Sequence, residues 1–223
     1  MPDRSRPFAV LAYGDSNTWG AVPQPYRGAG GRFCAERWTR VTADRLGSDF
    51  EVIEAGLNGR TTCVDDPVEG IERNGVRHLQ VAVQTHMPVD LVIIMLGTND
   101  LKARLSMTAG DIADGAGRLC DMVRRSNWGP EGRAPRVLLV SPAPLGRLTW
   151  LAEMFAGGTE KSRRLAEEYR RVAKAMSAEF FEGGSVMASS DDDGIHLGAE
   201  AHLALGEALA AEVRRIAGAA RQG

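Results

Sequence analysis

The 223-residue chain has only three cysteines, Cys34, Cys63 and Cys120, an odd number at wide spacing. That excludes a disulfide framework and the paired spacings that hold zinc, and fits reduced thiols in a cytoplasmic protein. No run approaches the roughly 18 apolar residues of a membrane-spanning helix. The polar residues 1–7 lead into an apolar run that stops at Tyr13, too short for a secretory signal core. Neither sign of charge dominates. The 27 Lys and Arg face 29 Asp and Glu, a formal net charge of −2, so a nucleic-acid-binding face is not expected. Low-complexity tracts and internal repeats are missing too, and 43% hydrophobic residues are enough for a packed core rather than disorder.

What is present is alternation. Runs of β character at residues 8–13, 50–54, 90–96, 136–141 and 179–187 are separated by segments of helical period. The third and fourth runs are apolar almost throughout, as strands buried on both faces of a parallel sheet are. Apolar stripes predict the helices: Trp38, Val41 and Leu46; Val76, Leu79 and Val83; Ile112, Ala116, Leu119 and Val123. Two more follow, at Leu165, Tyr169, Val172 and Met176, and at Leu205, Leu209, Val213 and Ile216. Thr108 and Asp111 have capping-box spacing. The pattern predicts one α/β domain over residues 1–223, a three-layer α/β/α sandwich around a five-stranded parallel sheet. Two connections, 17–33 and 142–158, are too long for turns. The second carries Leu145, Leu148, Trp150, Leu151, Met154 and Phe155, so it must be buried against something.

Parallel sheets bind ligands beyond the carboxyl ends of their strands. The tips here carry Gly14-Asp15-Ser16, then Gly56 to Thr62, then Gly97-Thr98-Asn99-Asp100, then Asp191 to Leu197. Of the four histidines only His196 lies at a tip; His78, His86 and His202 fall on helices and are expected at the surface or satisfied there. Asp193, three residues before His196, can hold its Nδ1 and leave Nε2 to take the proton of Ser16. The candidate catalytic residues are therefore Ser16, Asp193 and His196. The backbone N–H groups of Ser16 and Gly59 and the side-chain amide of Asn99 are candidate oxyanion donors. A glycine at 59 leaves no Cβ in the way of an approaching carbonyl. Asp15 is expected to bond local backbone, and Cys63 to pack.

These blocks, in this order, resemble those of the SGNH (GDSL) hydrolase superfamily over nearly the whole chain. Asp15-Ser16-Asn17-Thr18-Trp19-Gly20, Arg60-Thr61-Thr62 with Asp65-Asp66-Pro67, and Leu91 to Asp100 are similar to the bacterial arylesterase/acyltransferase group. The resemblance implies a flavodoxin-like sheet and hydrolysis of short-chain or aryl esters through an acyl-enzyme on Ser16, with acyl transfer or perhydrolysis as a side activity. It also implies a homo-oligomer, octameric in some members, and no cofactor. The chain departs from the group at Asn17 and Asn58, where relatives often carry Leu and Ser, and in the loop around 146–155. Trp19, Asn58, Trp150, Met154 and Phe155 are candidates for the substrate pocket, the apolar ones also for a subunit contact.

Other readings use the same residues. Asp191, Asp192, Asp193 and His196 also suit a divalent ion, but no further ligand cluster stands at another tip, and no metal is expected. A carbohydrate O-acetylesterase or a lysophospholipase-like enzyme would keep the chemistry and change the substrate. A flavodoxin-like binding domain would use the tips at Gly14 and Gly97 for a nucleotide or phosphate, yet both phosphate-loop and dinucleotide fingerprints are missing.

Overall fold

The computed structural model describes residues 6–220. Five parallel strands form one sheet in the order β2-β1-β3-β4-β5. They are β1 (Phe8–Gly14), β2 (Phe50–Gly56), β3 (Leu91–Met95), β4 (Arg136–Ser141) and β5 (Glu179–Glu182). The helices are α1 (Ser16–Trp19), α2 (Trp38–Leu46), α3 (Gly75–Gln84), α4 (Ala109–Arg124), α5 (Gly158–Ala175) and α6 (Ala199–Ala220). This is the flavodoxin-like order, in which the chain leaves β1 in one direction and returns through β3 in the other. The crevice that such a reversal opens lies at the carboxyl ends of β1 and β3.

Alternation along the strands explains the two cores. Leu11 and Tyr13 of β1, Val92 and Ile94 of β3, and Val137 and Leu139 of β4 pack on one face with α3, α4 and α5. Val10, Ala12, Leu91, Ile93, Leu138 and Val140 pack on the other with α2 and α6. Strands with both faces covered can carry no polar alternation, which is why the central runs are apolar throughout. Thr108 and Asp111 close the capping box at the start of α4.

Four strands differ in their boundaries from the sequence expectation. The first two strands run on to Gly14 and Gly56, in register with each other. The third is shorter by one residue at each end; Asp90, just before it, still bonds Ala9 through its backbone and accepts the Ala9 amide on its carboxylate at 2.8 Å. The fifth stops at Glu182 instead of 187. Gly183 begins a tight turn there, and a Cβ on it would collide with the Ser141 carbonyl and with Met187.

The apolar loop of 142–158 is buried against its own chain. Leu145, Leu151 and Phe155 sit in the core beside Leu165 and Tyr169, with Leu148, Trp150 and Met154 packed over them. Among the described residues no helix is long and apolar enough to cross a membrane.

His202 was expected to be satisfied on its helix or exposed; it is fully buried between α6 and α2. Its Nδ1 accepts the Trp38 amide at 3.3 Å, while Nε2 has no partner. Burial, with the nearby His196 and Arg37 charges, pushes its pKa down to about 4. An imidazole neutral in the fold but titrating near 6.5 when unfolded stabilises the fold fully above pH 6.5. That contribution is lost as pH falls toward 4. Unfolding free energies of the wild type are therefore expected to drop relative to His202→Asn by about 2 kcal/mol between pH 7 and pH 5. Urea titrations at the two pH values measure this, and parallel curves would contradict it.

Candidate active site

β1 ends in Gly14 and the chain turns at once into α1, so Ser16 opens a helix at the carboxyl edge of the sheet. Asp15 caps that turn, its Oδ1 accepting the Asn17 amide at 2.9 Å, the local role expected of it. The segment after β5 brings His196 to the same edge. His196 Nε2 lies 3.1 Å from Ser16 Oγ, and Nδ1 lies 2.7 Å from Asp193 Oδ2. Ser16 and His196 are each 8% exposed.

The Asp193 carboxylate is saturated. Oδ1 accepts the amides of Ile195 and His196 at 3.0 and 2.9 Å, and Oδ2 accepts the amide of Gln24 at 2.7 Å as well as His196 Nδ1. Burial alone would raise its pKa, but the hydrogen bond and charge of His196 and the backbone amides of His196 and Gln24 outweigh that and hold it below the usual carboxylate range. A carboxylate kept ionised on Nδ1 leaves Nε2 able to accept a proton from a hydroxyl.

The second and third tips are tied to the first by hydrogen bonds. Arg60 is buried and donates from Nη1 to the carbonyls of Gly14 (2.8 Å) and Ala55 (2.5 Å), with its guanidinium 4.1 Å from the Tyr13 ring centre. Asn99 Nδ2 donates to the Arg60 carbonyl at 3.2 Å, which brings Asn99 against the Gly59 turn; an amide nitrogen carries a second hydrogen for the crevice. Asp100 takes Thr62 N at 3.0 Å and Thr62 Oγ1 at 2.5 Å. Burial pushes the pKa of both Asp15 and Asp100 up to about 6, against the donors around each and, for Asp15, the charges of His196 and Arg60.

Gly59 has φ +78°, and a Cβ there would collide with Glu69 Oε2. Glycine is thus required by backbone conformation and by the side chain lying over it, beyond the open approach read from the sequence. Glu69 is held in place by Lys102 Nζ (2.5 Å) and Arg104 Nη2 (2.8 Å), and both cations also bind Asp66. Lys102 and Asp66 are buried; despite that burial, the hydrogen bond from Arg104, then the amides of Val68 and Glu69 and the Lys102 charge, hold Asp66 well below the usual carboxylate range. Sequence reasoning passed over this cluster, whose members share no periodicity.

The pocket candidates separate. Trp19 is half-buried beneath the Arg32 guanidinium, 4.8 Å from its ring, and Asn58 is exposed. Trp150 Nε1 donates to the Gln24 carbonyl at 2.7 Å, so it sits two hydrogen bonds behind Asp193. Phe155, 1% exposed, is core and cannot form an open wall; Met154 packs partly buried beside it. Asp191 and Asp192 are exposed, Asp191 taking the Arg147 amide at 3.2 Å, and His78 and His86 lie away on α3 and just beyond it. Asn17, noted in the sequence only as a departure, donates from Nδ2 to the Ile195 carbonyl at 3.1 Å and accepts the Leu197 amide at 3.0 Å. Its partners are backbone groups, which no side-chain pattern signals.

A family model described as GDSL-like lipase/acylhydrolase matches residues 12–204. No curated protein matches the chain. Among solved structures, the inhibitor-bound aryl esterase of M. smegmatis superposes with a TM-score of 0.89 at 44% identity, covering 93% of this chain and 99% of that one. A carbohydrate acetylesterase from Sinorhizobium meliloti superposes with a TM-score of 0.88 at 41% identity, again over 93% and 99% of the two chains.

Gly59→Ala is expected to lower the unfolding free energy by about 1–2 kcal/mol for the left-handed backbone alone, and further for the collision with Glu69. Made in Glu69→Ala and compared with that variant alone, which already loses the Lys102 and Arg104 contacts, Gly59→Ala should cost only the first part. Thermal or urea melts of the single and double variants measure both, and a neutral Gly59→Ala would refute the constraint.

Proposed function

The chain belongs to the GDSL-like lipase/acylhydrolase family and is a carboxylic ester hydrolase of the SGNH type, and from this premise we propose that it cleaves small short-chain acyl or aryl esters through an acyl-enzyme on Ser16. The observation that carries the reading is the unbroken line from Ser16 Oγ through the His196 ring to Asp193, with steps of 3.1 and 2.7 Å. His196 Nε2 takes the hydroxyl proton as Ser16 Oγ bonds to the ester carbonyl carbon. The negative charge that builds on the carbonyl oxygen is met by the N–H groups of Ser16 and Gly59 and by the Asn99 amide. Collapse breaks the bond to the alcohol, which leaves with the proton from His196. Water then repeats the sequence on the acyl-serine and releases the acid; an alcohol in its place gives acyl transfer. Asp193 fixes the tautomer and balances the imidazolium throughout.

A second reading keeps this machinery and places the acyl group on a carbohydrate. It is favoured by the likeness to the Sinorhizobium acetylesterase, nearly as strong as that to the aryl esterase. Acetate release from acetylated xylan, set against hydrolysis of 4-nitrophenyl acetate, separates the two.

Ser16→Ala is expected to abolish covalent labelling by a fluorophosphonate, read by intact mass; labelling that persists would put the nucleophile elsewhere. Asn99→Ala should lower kcat for 4-nitrophenyl acetate about a hundredfold in a folded protein. An unchanged kcat would take Asn99 out of the oxyanion site.

A further inference from the structure

We propose that Asn17 is a positioning residue that sets the distance between the serine and the histidine, an inference that rests on the Ser16 reading above. Ser16 stands on a helix of only four residues, α1, which cannot be rigid by itself. Its neighbour Asn17 is 6% exposed and reaches across to the other half of the pair. The Asn17 amide spans His196: Nδ2 donates to the carbonyl of residue 195 and Oδ1 accepts the amide of residue 197. Donor meets acceptor at both ends, so turning the amide over would set like against like twice, and one orientation alone fits.

The histidine segment is held on its other sides as well. Asp193 Oδ1 takes the His196 amide, and the His196 carbonyl accepts Ser190 N at 2.8 Å. Those bonds fix the segment within its own loop. Apart from the Ser16–His196 bond itself, the Asn17 amide is the only side chain of α1 that, among the described residues, is hydrogen-bonded to this segment, and it comes from the residue covalently next to the nucleophile. An apolar side chain at 17 would leave buried groups of Ile195 and Leu197 without partners and free the two segments to drift apart. A misplacement of about 1 Å between reacting groups can cost on the order of a hundredfold in rate.

The test uses the full chain and 4-nitrophenyl acetate, with Asn17→Leu made in the wild type and in His196→Ala. In the wild type the substitution is expected to lower kcat tenfold or more with KM changed less than about twofold, because it alters the reacting pair and not substrate binding. In His196→Ala it should lower the residual rate no further, since a residue acting through His196 has nothing left to position. A kcat within twofold of wild type overturns the proposal, and so does an equal loss in both backgrounds, the mark of a role independent of His196. If Asn17→Leu does not fold, Asn17→Asp carries the same comparison: it keeps the acceptor for Leu197 and sets a second acceptor against the Ile195 carbonyl. A wild type that neither hydrolyses ester nor takes up fluorophosphonate would remove the Ser16 reading and this proposal together; an active wild type with an equally active variant removes the clamp alone.

Discussion

One hydrogen bond has to join residues 180 positions apart, Ser16 Oγ and His196 Nε2, and most of the polar architecture follows from that requirement. The sheet supplies a coarse solution. With β1 central and the order 2-1-3-4-5, the first tip lies beside the third, and the segment after β5 returns over both. A sheet places loops to within a few ångströms; a proton transfer needs closer control. That control comes from side chains bonded to backbone: Asp193 to the amides of 24, 195 and 196, Arg60 to the carbonyls of 14 and 55, and Asn17 to the groups flanking His196.

The ion cluster of Asp66, Glu69, Lys102 and Arg104 belongs to the same problem. Burying Lys102 and Asp66 carries a desolvation cost of several kcal/mol per ion, and their attraction repays it only with good geometry. As a source of stability such a cluster is a poor choice against an apolar one. As a constraint it is effective. It joins the strap after the second tip to the segment after the third, and it holds the Glu69 carboxylate against Gly59, so the turn carrying a proposed oxyanion donor is braced from outside while Asn99 and Asp100 brace it from within.

The fold was largely legible because the signals for it are side-chain patterns. The apolar run of residues 136–141 became β4 without change, and Thr108 with Asp111 capped α4 as their spacing required. The fifth strand was read too long because Val186 and Met187 look like more strand, whereas Val186 is exposed and Met187 packs into the α2–α6 core beyond a turn. At the site, Ser16, Asp193 and His196 were legible because each follows a strand and their chemistry is complementary. Asn17 and Trp150 were not, since what they bind is peptide backbone. Trp150 read as apolar surface for a pocket, but its indole N–H holds the Gln24 carbonyl whose own amide nitrogen serves Asp193. Phe155 failed as a pocket residue for a simpler reason: a large apolar side chain in a long loop is as useful to the core beneath it as to a ligand above.

Three buried carboxylates stand around the serine, and their surroundings sort their roles. Asp15 is the nearest in sequence, but burial raises its pKa to about 6, and its Oδ1 is committed to capping α1. Asp100 is raised to the same value by burial and spends its oxygens on Thr62. Only Asp193 is driven the other way, because the imidazole and two amides favour its ionised form more than burial disfavours it. A carboxylate can steady an imidazolium only if it is itself charged when the proton arrives. By that criterion Asp193 is the partner of His196, and Asp15, though it adjoins the proposed nucleophile, is left to shape the turn that presents it.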